Sequence, residues 1–357
     1  MRASSSVHAS SSVRALRRPL TAALALALTG GTALTVAGSS TPASAASARA
    51  SVRVSSLDGF PSRGRLVLNA LTSRAGLVPH SSVRVRVANL GRARLTVSAS
   101  ASVTLPAAAV YGSDTSPAAG SFRVTGVPPG GIAPGRSALL TVTYSALAKA
   151  DSAYTRDAGT LTIRTNDPSH PRVHLAISGL REYEGGHREP ELAQLLTSFG
   201  WSTRTVSARS AYRFKPVGRS ATHVREVAAF GPVGSSLDLR AAGGSTARIL
   251  TRRGASSSTV APLTASGARS MGVVPGSASF RVLARIQVPG ERTTRNAGTW
   301  GSTAARWQVR QIPGARGVPL AHTYVLCLDE PNPVGQAAPN GDYQDEVLLL
   351  TGADLVS

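Results

Sequence analysis

The sequence predicts an all-β protein, and three observations carry that prediction. Short runs in which apolar and polar residues alternate recur from Ser51 to the C-terminus. The 35 Gly and 22 Pro supply turns throughout. Only one segment, around Leu192, shows the three-and-four spacing of an amphipathic helix. With 42% hydrophobic and 16% charged residues in a chain of 357, there is material for two cores. Two β-sandwiches in series are therefore expected, meeting near Leu180.

Residues 1–48 read as a targeting segment and short linker rather than as part of a fold. Arg14, Arg17 and Arg18 form a positive n-region, residues 20–37 are an apolar run rich in Ala and Leu, and Ala43-Ser44-Ala45 and Ala46-Ser47-Ala48 offer small-x-small cleavage sites. Export through the general secretory route is expected, with cleavage after Ala45 or Ala48; a retained anchor is the alternative, and the flanks of Arg17-Arg18 fit the twin-arginine pattern poorly. The intact mass of secreted material is expected to lack about 45 N-terminal residues; a full-length mass would contradict it. No cysteine stands near the cleavage site for lipid attachment. The lone Cys327, within Tyr324-Val325-Leu326-Cys327-Leu328, reads as a buried strand residue with no disulfide partner. The mature chain is expected to be extracellular or associated with the cell envelope, with no transmembrane segment.

The first sandwich occupies residues 49–180. Arg65-Leu66-Val67-Leu68, Val83-Arg84-Val85-Arg86-Val87 and Leu95-Thr96-Val97-Ser98 are short alternating strands, and Pro134-Gly135 turns the chain into the strand 137–144. Its fullest signal is Gly159 through Gly179. Leu161 and Ile163 alternate with Thr160, Thr162 and Arg164; Val173, Leu175 and Ile177 alternate with Arg172, His174 and Ala176; between them Asn166-Asp167-Pro168-Ser169-His170-Pro171 must turn the chain. The Ile132-Ala133-Pro134-Gly135 turn, the alternating strand and Gly-x-Leu-x-Ile-x-Thr-Asn-Asp-Pro followed by Pro-x-Val-x-Leu-x-Ile-x-Gly resemble the immunoglobulin-like repeats of bacterial surface proteins of the ASPM, SPD-2 and Hydin (choice-of-anchor) type. The resemblance covers residues 131–179 and implies a seven-stranded Ig-like β-sandwich that acts as a spacer or interaction module and carries no catalytic residue. The insertion at 146–158 departs from that pattern.

Residues 181–357 form the second expected domain. It opens on a helix in which Leu192, Leu195, Leu196 and Phe199 share one face, Pro190 and the acids Glu189 and Glu191 suit the start, and Gly200 ends it. Strands follow at 280–286, 306–310, 324–328 and 347–350. The opening Glu-Gly-Gly-His-Arg-Glu-Pro-Glu-Leu and the closing Tyr-Val-Leu-Cys-Leu-Asp-Glu with Asn-Gly-Asp-Tyr-Gln-Asp-Glu-Val-Leu-Leu-Leu are similar to an uncharacterised domain of bacterial secreted proteins. That resemblance implies a jelly-roll-like β-sandwich with no established activity.

The chain shows no Gly-x-Ser-x-Gly, Ser-x-x-Lys, phosphate-binding loop, dinucleotide fingerprint or His-x-x-x-His spacing. A non-enzymatic protein is expected. The alternatives are a carbohydrate-active enzyme with a carboxylate pair in 201–357 and a purely structural envelope protein. Asp329 and Glu330 end one strand of a predicted hairpin and Asp342, Asp345 and Glu346 begin the other, so the five acids are expected at one end of a sheet. Calcium is the cation that hard oxygen ligands of this kind would hold; pairing with arginines is the other reading. Trp201, Trp300 and Trp307 are the candidates for stacking on a cell-wall or extracellular glycan if exposed. Finally, a net charge of +21, carried almost wholly by arginine, and few aromatics point to anionic envelope polymers rather than a specific nucleic acid, with a charge that serves solubility alone as the other reading.

Overall fold

The computed structural model describes residues 48–61, 64–69, 77–78, 80–104, 121–145, 154–182, 190–206, 212–218, 220–230, 236–243, 245–252, 259–261, 263–264, 269–276, 278–287, 295–297, 306–314, 317–329 and 346–356. Strands dominate, as expected, and one short helix joins them. Among the described residues nine strands belong to the first half: β1 (Val52–Ser56), β2 (Arg65–Asn69), β3 (Leu77–Val78), β4 (Ser82–Asn89), β5 (Val97–Thr104), β6 (Phe122–Thr125), β7 (Ser137–Tyr144), β8 (Tyr154–Thr165) and β9 (Arg172–Glu182). They make two four-stranded sheets, ordered β1-β4-β7-β6 and β2-β9-β8-β5, with β2 parallel to β9. Strict alternation explains the packing between them. Val83, Val85 and Val87 of β4 are buried while Arg84 and Arg86 face out, and Leu161, Ile163, Leu175 and Ile177 meet them in a single core.

The long β8–β9 hairpin is more than a closing pair. Its turn ties both sheets together through side chains that accept or donate to backbone. The Asp167 carboxylate takes the Val52 amide at 2.8 Å and the Ser169 amide at 2.9 Å, which starts β1; Asn166 Oδ1 takes the Thr96 amide at 2.9 Å and its Nδ2 donates to the Arg94 carbonyl at 3.1 Å, which starts β5. The Asn-Asp-Pro motif is thus a clamp between strands. Near the other end, Gly179 lies against the Tyr144 ring: a Cβ there would stand 2.4 Å from a ring carbon, and the ring is held by its hydroxyl, which donates to Asp157 at 2.7 Å.

Burial pulls the Asp167 pKa up, but the Val52 and Ser169 amides and the His170 ring overcome it and hold the carboxyl below its ordinary value. A depressed carboxylate stabilises the fold above its unfolded pKa of about 3.9, and the contribution is lost as pH falls through the lower folded value. Asp167→Asn, which would set an amide NH2 against a backbone N–H, is expected to cost about 1–3 kcal/mol at neutral pH. In urea unfolding, the gap from the parent should close below about pH 4; a gap that persists in acid would contradict the clamp.

The helix α1 (Leu192–Ser198) begins at Glu191, where a capping box with Gln194 satisfies its first amides, and ends at Phe199 with Gly200 at φ +73°. Beyond it lie β10 (Arg204–Thr205), β11 (Arg213–Pro216), β12 (Thr222–Ala229), β13 (Ser236–Gly243), β14 (Ser245–Arg252), β15 (Thr259–Val260), β16 (Leu263–Thr264), β17 (Met271–Val274), β18 (Arg281–Gln287), β19 (Arg295–Ala297), β20 (Arg306–Pro313), β21 (Pro319–Asp329), β22 (Glu346–Thr351) and β23 (Ala353–Val356). The principal sheet runs β10-β20-β21-β22-β12-β15, with β17 also on β12; a second runs β14-β13-β18-β19, and β11 pairs with β23.

Sheet alternation is absent from the middle of β21 and from β22, where every residue from Tyr324 to Asp329 and from Glu346 to Leu350 is buried. The reason is that the principal sheet is covered on both faces. On one face, Tyr324, Leu326, Leu328, Leu348 and Leu350 meet Phe214, Phe280 and Val282 in the core of the second sandwich. On the other, Val325, Cys327, Val347 and Leu349 meet α1 through Leu192, Leu195, Leu196 and Phe199, together with Phe60, Val67 and Leu180 from the first half. Cys327 is a buried strand residue, as expected. The two-residue pair β3–β16 adds main-chain bonds between the halves. Ser47–Ser357 is accordingly one compact unit in which two sandwiches share an apolar seam.

Candidate functional site

Trp201 and Trp307 are 2% and 7% exposed. Trp201 stacks on Phe199 with ring centroids 4.7 Å apart and donates from Nε1 to the Pro61 carbonyl at 3.1 Å; Trp307 lies in the core of the second sandwich. Neither offers a ring face to a glycan, which corrects the stacking role expected of these two, because the helix and the doubly covered sheet need large apolar side chains to fill the seam and the core. Trp300 lies outside the described residues.

The predicted acidic hairpin forms in part. Strands β21 and β22 are antiparallel neighbours with Leu328 opposite Glu346, so Asp329 and Glu346 do sit at the same end of the sheet. Both are buried, at 0% and 1% exposure. Pleating nevertheless sends them apart: Glu346 shares the face of Leu328, and Asp329, one residue on, falls on the face of Cys327. Glu330, Asp342 and Asp345 lie outside the described residues. Among the described residues no group of three or more His, Cys, Asp or Glu could hold a metal ion.

A cluster of charge that the sequence did not single out lies at the seam. Asp58 follows β1, His80 precedes β4, and Arg225 rises from β12 across the boundary. His80 Nε2 is 2.7 Å from Asp58 Oδ1 and its Nδ1 is 2.9 Å from the Val67 carbonyl; Arg225 Nη1 donates to the Asp58 carbonyl at 2.8 Å, and its Nη2 is 3.6 Å from Asp58 Oδ1. The Arg225 guanidinium carbon also lies 3.3 Å from the centroid of the Phe60 ring. Arg269 donates to the Leu57 carbonyl and fills the space a side chain at Gly59, φ +76°, would need. Burial pulls the Arg225 pKa down to about 10, partly offset by Asp58, so it stays charged at neutral pH. Both His80 nitrogens are thus engaged, one by the Asp58 carboxylate and one by the Val67 carbonyl. This cluster fastens the two halves. The signal in the chain is the charged doublet Arg225-Glu226 flanked by Val224 and Val227 in a strand buried from Val224 to Ala229; Glu226 accepts from Ser270 at 2.7 Å.

Among the described residues many charges divide by sign, with buried Arg225 and exposed Glu191 as exceptions. Asp58, Asp157, Asp167, Glu226, Asp329 and Glu346 are all buried, whereas Arg53, Arg84, Arg86, Arg123, Arg164 and Arg172 are exposed on strand faces. The first 48 residues hold four arginines and no acid, so most of the +21 belongs to the remainder of the chain. Among the described residues no helix is long and apolar enough to cross a membrane.

No family model matches the sequence, and no curated protein matches it. Among solved structures, the CupB2 chaperone of Pseudomonas aeruginosa is similar over 66% of this chain and 97% of its own, at 15% identity and a TM-score of 0.22. The E. coli chaperone DraB covers 70% of this chain and 96% of its own at 11% identity and 0.23. A chain from the Salmonella enterica SafA pilin–SafB chaperone complex covers 76% and 93% at 12% and 0.24.

Proposed function

We propose that this is an exported, non-enzymatic envelope protein whose two sandwiches, 49–180 and 181–357, form a rigid body that adheres by charge to anionic polymers of the cell envelope. The observation that carries this reading is the set of arginines exposed on outward strand positions, Arg53, Arg84, Arg86, Arg123, Arg164 and Arg172, in a chain of net charge +21. Recognition of a neutral glycan by aromatic stacking loses two of its three candidate rings with Trp201 and Trp307 buried. The burial of those two rings favours, as the second reading, a purely structural envelope protein. A pull-down separates them. Mature protein should be retained by purified cell wall, lost from wall stripped of its anionic polymers, and ignored by a panel of neutral glycans; retention by the neutral panel alone, or by no fraction, would overturn the charge reading.

A further inference from the structure

The outer face of the β1-β4-β7-β6 sheet carries arginines on three of its four strands. Arg53 projects from β1, Arg84 and Arg86 from β4, and Arg123 from β6, and all four are exposed. Register places them in a lattice with hydroxyls. Arg86 lies between Ser55 and Leu139, Arg84 pairs with Thr141, and Arg123 pairs with Thr143. Neighbours along a strand on one face are about 7 Å apart and adjacent strands about 4.8 Å, so like charges crowd here. No Asp or Glu stands on this face among the described residues. Past the strand ends the charge continues, because the Arg92 amide donates to the Arg49 carbonyl at 2.9 Å and sets those two exposed arginines side by side.

We infer that this face binds a linear phosphodiester polymer built of polyol or sugar units, laid flat across the strands. The inference rests on the charge reading above and assigns it to the first sandwich. Three features select the ligand. The guanidinium fork matches phosphate oxygens, and a row of such forks suits a repeating anion better than a single one. The interleaved Ser and Thr hydroxyls suit a hydroxylated chain. The described residues of the face include no aromatic ring, which removes the stacking platform that single-stranded nucleic acid uses, and Leu139, 41% exposed, is its one large apolar side chain, too little to enter a bilayer.

The test compares two double variants of the mature chain with equal loss of charge: Arg84→Ser with Arg86→Ser, and Arg164→Ser with Arg172→Ser on the outer face of the other sheet. The probe is purified polyglycerol phosphate, with single-stranded DNA and phosphatidylglycerol vesicles as competitors, and thermal melting confirms that both variants fold. The first pair should weaken polyglycerol phosphate binding by about tenfold at low salt and the second by no more than about twofold. Equal weakening by both pairs would overturn the assignment to this face while leaving adhesion by diffuse charge standing. Tighter binding of the DNA or the vesicles, lost with Arg84 and Arg86, would overturn the polymer class. Failure of the unaltered protein to bind any of the three would overturn the charge reading itself.

Discussion

Arg225→Ala is expected to lower stability by about 3–5 kcal/mol, the size found when one partner of a buried ion pair is removed and the other is left behind. Arg225 is 3% exposed, and its loss would take the guanidinium away from the buried Asp58 carboxylate, free the Asp58 carbonyl and strip the Phe60 ring of its cation. Against a typical total of about 5–15 kcal/mol, that is a large share. Urea unfolding with both variants and their combination, Arg225→Ala and Asp58→Ala, gives the coupling directly. A loss under about 1 kcal/mol would mean that water reaches these charges and that the seam is not held by them.

Phe199→Ala is expected to cost about 3–5 kcal/mol. Phe199 is 0% exposed, stands at the end of α1, and contacts Phe60 at 4.9 Å between ring centroids and Trp201 at 4.7 Å. Its removal would open a cavity between the halves rather than within either core. Because residues from both sides of Leu180 pack around it, calorimetry should show one transition moved to lower temperature. A parent protein that melts in two well-separated steps, of which Phe199→Ala moves only one, would contradict the shared seam.

The parts of this fold that could be read from the chain are those governed by local periodicity. Val83, Val85 and Val87 declared a half-buried strand; Leu192, Leu195, Leu196 and Phe199 declared the helix; the turn residues between Ile163 and Val173 declared a hairpin. Tyr324 to Leu328 and Val347 to Leu350 were legible as strands, and their lack of alternation was the sign of a sheet covered on both sides. Which element covers the second face depends on contacts more than a hundred residues apart, such as Trp201 to Pro61 and Arg225 to Asp58, and no spacing encodes those. The tryptophans and the acids of the terminal hairpin show the limit most clearly. Residue type makes Trp201 a stacking candidate and places Asp329 beside Glu346 at one sheet end, yet the burial of Trp201 and the face on which each acid falls are set by the whole fold.

Adhesion through exposed arginines has a signature that packing does not. Screening shortens to about 8 Å at physiological ionic strength, and displaced counterions make charge-driven binding fall steeply as salt rises. The direct measurement is a salt titration of the mature protein on purified cell wall. The account predicts that affinity drops at least about tenfold between roughly 20 mM and 150 mM salt. Affinity unchanged over that range would contradict it and place recognition in an apolar or hydrogen-bonded site instead.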